Sequence, residues 1–260
     1  MTSYPIYQVD AFTSDLFGGN PAAVCPLQKW LPEKTMQKLA FENNLSETAF
    51  FVNEGERYHI RWFTPEFEID LCGHATLASA YVIFNHLNHP TDTISFTCKS
   101  GKLEVRKKDD LIELNFPSRM PQPAEAPEAL IKGLSLVPAK VFKSRDYFLV
   151  YEHESEIQDI VPDYNYLNQV DAIGVIVTAP GKHVDFVSRF FVPNSVIGED
   201  PVTGSAHCNL IPYWAHELNK STLTAKQLSA RQGQLFCADL GERVIIAGRA
   251  VLYLKGEYYL

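Results

Sequence analysis

The chain has 260 residues, 46% of them hydrophobic, and a formal net charge of −8. This is enough apolar material for a substantial core in one or two domains. The acidic balance, with no run of five like charges, excludes a polyanion-binding surface built on clustered Lys and Arg, so no nucleic-acid partner is expected. Arg106-Lys107-Lys108 runs straight into Asp109-Asp110, the pattern of a polar hairpin tip. No stretch approaches the ~18 apolar residues of a membrane-spanning helix, and Met1–Pro5 enter a strand-like run without an apolar signal segment. No membrane partner is expected. Five cysteines (Cys25, Cys72, Cys98, Cys208 and Cys237) form an odd set without a close metal-ligand pair, which suits a reducing, cytoplasmic setting.

Val9–Phe12 reads as a strand. Pro32-Glu33-Lys34 opens a helix, since proline's missing amide costs nothing in a first turn. Met36, Leu39 and Ala40, three and four apart, mark its buried stripe, with Phe41 and Leu45 expected to extend the apolar cover to a turn at Asn43-Asn44. Ser46–Val52 and His59–Phe63 are strands, the second alternating Ile60 and Trp62 against Arg61 and Phe63. Ala75–Phe84 is a helix with almost no polar face, so it must be enclosed, and a sheet wrapped around it would supply the cover. Thr93–Cys98, Lys102–Lys107 and Leu111–Phe116 form a meander with turns at Ser100-Gly101 and Asp109-Asp110. Three prolines between Pro117 and Pro123 then interrupt the chain. A second mixed pattern starts near Val141. It contains the apolar stretch Ala206–Leu218, where Pro212 is a candidate kink, and ends in paired strands Val244–Ala247 and Ala250–Leu254 around Gly248.

The halves repeat one another. Arg61-Trp62-Phe63-Thr64-Pro65 precedes Gly73-His74-Ala75, and Arg189-Phe190-Phe191-Val192-Pro193 precedes Gly204-Ser205-Ala206. Each glycine opens an apolar helix, and Ser100-Gly101-Lys102-Leu103 matches Gln232-Gly233-Gln234-Leu235 further on. Upstream, Phe50-Phe51-Val52 is matched with Val175-Ile176-Val177. A unit of roughly 110 residues is too long for a solenoid repeat. The reading is an α+β chain of two pseudo-equivalent domains, 1–117 and 118–260, whose last strand is free to close either sheet. Function is expected in the cleft between them.

The candidate residues lie at turns and element starts. Backbone amides at Gly73–Thr76 and Gly204–His207 lack intrahelical partners. They would attract a carboxylate, although water or Thr and Ser side chains could equally cap them. Glu47, in Leu45-Ser46-Glu47-Thr48-Ala49, is either a strand-edge residue or a carboxylate in a dry cleft able to exchange protons. His74 could cap its helix or donate to a ligand, and Asp200 before Pro201 could open an Asx-turn.

Five blocks, in order, carry a resemblance: Gly18-Gly19-Asn20-Pro21-Ala22-Ala23-Val24, Ser46-Glu47-Thr48-Ala49-Phe50, Phe63-Thr64-Pro65, Leu71-Cys72-Gly73-His74-Ala75-Thr76 and Glu199-Asp200-Pro201-Val202-Thr203-Gly204-Ser205-Ala206. Together they resemble the PhzF-like phenazine-biosynthesis family over about Tyr7–Leu254. That resemblance implies a diaminopimelate-epimerase-like fold, in which each domain wraps a curved, mostly antiparallel sheet around a central helix. It implies that Glu47 shuttles a proton, that His74 and Asp200 bind and polarise the substrate, and that Asn20, Gly73 and Ser205 contact it. It also implies a homodimer. Related epimerases use two cysteines. Cys72 matches one of these, but Thr203 stands at the other, which disfavours two-thiol racemisation.

No metal or cofactor is expected. His86 and His89 lack carboxylates at ligand spacing, His207 belongs to the second helix start, and no dinucleotide fingerprint is present. Proton relocation on an activated carbon needs only a base and oriented donors. The expected function is a cofactor-independent isomerase acting on a small carboxylic acid. The alternatives are a non-catalytic anion-binding protein on the same scaffold and a cysteine-dependent epimerase.

Overall fold

The structure is a computed structural model describing residues 1–260. Its first half comprises β1 (Ser3–Ala11), β2 (Asn20–Leu27), α1 (Glu33–Asn43), β3 (Glu47–Asn53), β4 (Tyr58–Phe63), β5 (Glu68–Ile69), α2 (Gly73–His86), β6 (Thr93–Cys98), β7 (Gly101–Lys108) and β8 (Leu111–Pro117). The second half comprises β9 (Gln122–Pro123), α3 (Glu128–Gly133), β10 (Lys140–Lys143), β11 (Tyr147–Val150), α4 (Glu154–Asp159), α5 (Tyr164–Leu167), β12 (Val175–Pro180), β13 (Phe186–Phe191), α6 (Gly204–Leu218), β14 (Thr222–Gln227), β15 (Gly233–Asp239), β16 (Arg243–Gly248) and β17 (Ala250–Tyr259). The chain divides into two compact units, Met1–Asn115 with Ala247–Leu260, and Phe116–Ile246. The last strand, which the sequence left free to join either domain, therefore belongs to the first unit, where β17 lies antiparallel along β1. No helix is long and apolar enough to cross a membrane.

In the first unit the sheet runs β17-β1-β2-β3-β4-β6-β7-β8, antiparallel except at β2–β3 and β4–β6. The all-apolar helix is α2, packed against β1, β2, β3, β7 and β17. His74 to Ala80, Val82 and Ile83 are buried. Ala75, Ala78 and Ala80 let strands approach the helix closely, and Leu77, Val82 and Ile83 each contribute about 1.5–3 kcal/mol of apolar burial. In the second unit the order is β9-β10-β11-β12-β13-β14-β15, antiparallel except at β11–β12 and β13–β14. Helix α6 packs on β14 and β15 and continues through Pro212 without a break. The alternation of parallel and antiparallel pairs from β2 to β7 thus recurs from β11 to β15.

Three expectations need correction. Strand β2 occupies Asn20–Leu27, for which the sequence suggested no element; its prolines, Pro21 and Pro26, lie next to the strand ends, where a lost ladder bond costs least. Phe41 is exposed and does not extend the α1 stripe, in which Met36 and Ala40 are buried and Leu39 is partly buried against the same core. The internal match of Phe50 with Val175 slips by two residues. Phe50 pairs with Arg61 and Val177 with Arg189, so Phe50 corresponds to Val177.

Candidate active site

Four polar side chains converge inside the first unit. Asn20 begins β2 directly after Gly19, which adopts φ +61 and could not hold a Cβ: that atom would lie 2.1 Å from the Ala11 carbonyl oxygen. Glu47 begins β3, in parallel register beside Ala22. Cys72 is the N-cap of α2, and His74 is that helix's second residue. His74 Nε2 lies 3.0 Å from Glu47 Oε2, an ion-pair contact outside hydrogen-bond alignment, and neither atom has a hydrogen-bond partner. On the ring's other side, the Asn20 amide lies 3.1 Å from Nδ1 and Cys72 Sγ lies 3.5 Å away. His74 is 4% exposed.

The surroundings set the charges. Burial, then the nearby Glu47 carboxylate, pushes the Cys72 thiol up to about 11, so it stays protonated at neutral pH. Burial alone would lower the pKa of His74; Cys72 and Glu47 on either side of the ring lift it well above the ordinary histidine value. The α2 N-terminus adds donors, because the first intrahelical amide bond runs from Thr76 to the Cys72 carbonyl, leaving the Gly73 and His74 amides ahead of it.

In the second unit the corresponding helix start is held differently. The Thr203 hydroxyl donates to Asp200 Oδ2 at 2.6 Å, and its amide donates to Gln227 Oε1 at 2.9 Å. Gln227 Nε2 donates in turn to the Asp200 carbonyl at 2.8 Å. Ser205 accepts from the Arg145 guanidinium at 3.1 Å, and Arg145 also pairs with buried Asp146 at 2.7 Å.

Strand register aligns the two sites residue by residue. Thr48 pairs with Phe63 and Val175 with Phe191, which places Gly174 at the Glu47 position. A Cβ on Gly174 would lie 2.1 Å from Phe190 Cζ, so the second copy has no room for a carboxylate there. Phe63 pairs with Glu68, and Phe191 bridges to Glu199, which places Ile69 at the Asp200 position. Thr203 and Ser205 fall at the positions of Cys72 and His74.

Asn20, Glu47, His74 and Gly73 are thus brought together in one unit, and Asp200 and Ser205 flank one helix start in the other. Sequence reasoning missed Gln227 and Arg145. Gln227 had a signal, since it continues the inward alternation of Leu223 and Ala225 on β14. Arg145 had none.

The sequence model of the "Phenazine biosynthesis-like protein" family matches residues 9–256. The chain belongs to that family. It is 51% and 48% identical to two uncharacterised isomerases of Pseudomonas aeruginosa, each alignment covering 98% of both chains. It superposes on a crystal structure of a PhzF-family phenazine biosynthesis protein from Enterococcus faecalis with TM-score 0.97 and 52% identity over the whole of both chains. A proline racemase-like structure from Agrobacterium radiobacter, 8% identical with TM-score 0.64 over 99% of this chain and 93% of that one, shares the fold alone.

Proposed function

We propose that this family member is a cofactor-independent isomerase that moves a proton between carbons of a small carboxylic acid. Glu47 is the general acid/base. Its carboxylate takes the proton from an activated C–H, the bonding pair moves into the conjugated system of the substrate, and the same carboxyl returns the proton to another carbon. One observation carries the reading: a buried carboxylate atom with no hydrogen-bond partner, 3.0 Å from an enclosed histidine. His74 stands beside it, and the α2 amides oppose the negative charge that develops as carbon is deprotonated. Asn20 and Gly73 bind the acid, and the resemblance adds Asp200 and Ser205 as further substrate contacts. The relatives named as isomerases support the reaction class.

The contact between Cys72 and His74 favours a second reading, a cysteine-dependent epimerase. Against it, the place equivalent to Cys72 is held by Thr203, whose hydroxyl already donates to Asp200. The test is incubation of the protein in deuterium oxide with a panel of enolisable and dienoic acids, read by mass spectrometry and NMR. The proposal expects deuterium at a carbon position together with a new isomer. No exchange with any member of the panel would sink it and favour an anion-binding role.

A further inference from the structure

The turn between β10 and β11 carries an arginine that the proposed proton transfer does not use. Arg145 Nε donates to both oxygens of Asp146 at 3.1 Å, and its Nη2 donates to Asp146 Oδ2 at 2.7 Å and to Ser205 Oγ at 3.1 Å. Nη1 makes no hydrogen bond, and the side chain is 35% exposed. Asp146 is the opposite, 0% exposed with Arg145 as its side-chain partner. Burying a carboxylate is costly unless it is paired. What this one achieves is a guanidinium held by one edge, with the Nη1 end open. Ser205 Oγ accepts from Arg145, so its own hydroxyl hydrogen remains to be donated. Two donor groups therefore stand side by side, and they suit the two oxygens of a carboxylate. The charges of Arg119 and Arg243 also act on this part of α6, at Cys208, so Asp146 does not cancel all the positive charge there.

The duplication ties this arrangement to the candidate site. Ala23 pairs with Thr48 and Tyr147 with Val175, and Thr48 corresponds to Val175, so Asn20-Pro21 correspond to Ser144-Arg145. In the first unit Asn20 meets His74, the second residue of α2; in the second unit Arg145 meets Ser205, the second residue of α6. We infer that Arg145 is a specificity-determining residue which, with Ser205, takes a second carboxylate of the substrate, so that the acid this protein isomerises is a dicarboxylate. The substrate clause rests on the proton-transfer reading of Glu47; the carboxylate site itself does not. Asn20 and Gly73 serve one carboxylate, and Arg145 and Ser205 serve the other.

Binding needs no turnover, and isothermal titration of the purified protein tests it with the α,ω-dicarboxylates from malonate to adipate, each against its monoamide. At least one diacid should bind about tenfold or more tightly than its monoamide, as a charged hydrogen-bonded contact supports. Arg145→Met should bring that diacid down to the affinity of the monoamide and leave the monoamide little changed. An arginine that only ties the turn to α6 would move both ligands together or neither, and either result overturns the proposal. So does the absence of any diacid preference in the unaltered protein. If Arg145→Met does not fold, phenylglyoxal labelling of the unaltered protein, mapped by mass spectrometry, decides the matter. The preferred diacid should protect Arg145, and equal labelling with and without it contradicts the site. Deuterium exchange tests the substrate clause: dicarboxylates should be among the acids deuterated on carbon, and exchange confined to monocarboxylic acids overturns it. Absence of exchange from the whole panel is instead the failure of the proton-transfer reading, and the titration still decides the site.

Discussion

His207 is fully buried, its Nδ1 donates to the Thr203 carbonyl at 2.8 Å, and its Nε2 has no hydrogen-bond partner. Burial lowers its pKa from 6.5 to about 4. Between those values the unfolded chain takes up a proton that the folded chain refuses. Stability therefore falls as pH drops from about 6.5 to 4, by up to roughly 3 kcal/mol from this residue, and levels off below. Urea unfolding across that range should show the slope in the unaltered protein and lose much of it in His207→Gln. Gly19 sets a second test. With φ +61 and no space for a Cβ, Gly19→Ala should destabilise the protein by about 2 kcal/mol or more and displace the neighbouring Asn20; thermal melting measures the first effect. Glu47, His74 and Asn20 were legible at this scale because each sits in a distinctive block of sequence. The approach of Cys72 to both His74 and Glu47 was not. Cys72 and His74 are near in sequence, but Glu47 is brought to them only by the packing of α2 on β3, and spacing alone therefore did not show the three as one cluster.

At the level of elements, the same device appears in each half. Arg61 on β4 grips Glu68 through Nε and Nη2, both at 2.7 Å, with its guanidinium over the Phe63 ring at 5.2 Å. Arg189 on β13 grips Glu199 at 2.7 and 2.9 Å, over the Phe191 ring at 4.9 Å. Each pair ties a strand to the segment leading into the central helix. The longer connection in the second half, 15 residues against 12, is absorbed before this clasp, between Pro193 and Glu199. Arg189 also donates to the Ile157 and Ile160 carbonyls, and its side chain is 12% exposed. Arg189→Met should therefore cost about 2–4 kcal/mol, since it strands a carboxylate and two carbonyls. Denaturant unfolding measures this, and an unchanged midpoint would remove the clasp from the account. Strands and helices with a clear apolar period were legible from sequence. Strand β2 was not, because two prolines masked a segment whose place between β1 and β3 is decided by distant pairing.

Across the whole molecule, duplication explains both the legibility of the fold and the asymmetry of its chemistry. The Gly-led apolar helices and their preceding Arg-x-Phe strands survive in both copies because both units need an enclosed helix. Glu47 stands in one, and Gly174, packed against Phe190, leaves no room for a carboxylate in the other. The surface of the first unit carries exposed Phe17, edge-on to Tyr253 of β17 at 5.8 Å, with Tyr259 farther along the strand. The homodimer that the family resemblance implies predicts a light-scattering mass of twice the 29.3 kDa chain; a single-chain mass would contradict it. The proposed proton transfer depends on Glu47. Glu47→Gln keeps the shape of the side chain but cannot take up and return a proton, so solvent-deuterium incorporation into a turned-over acid should fall by about 10²–10⁴-fold while the acid still binds. Cys72→Ala should lose far less. Undiminished deuterium incorporation in Glu47→Gln would contradict the carboxylate mechanism.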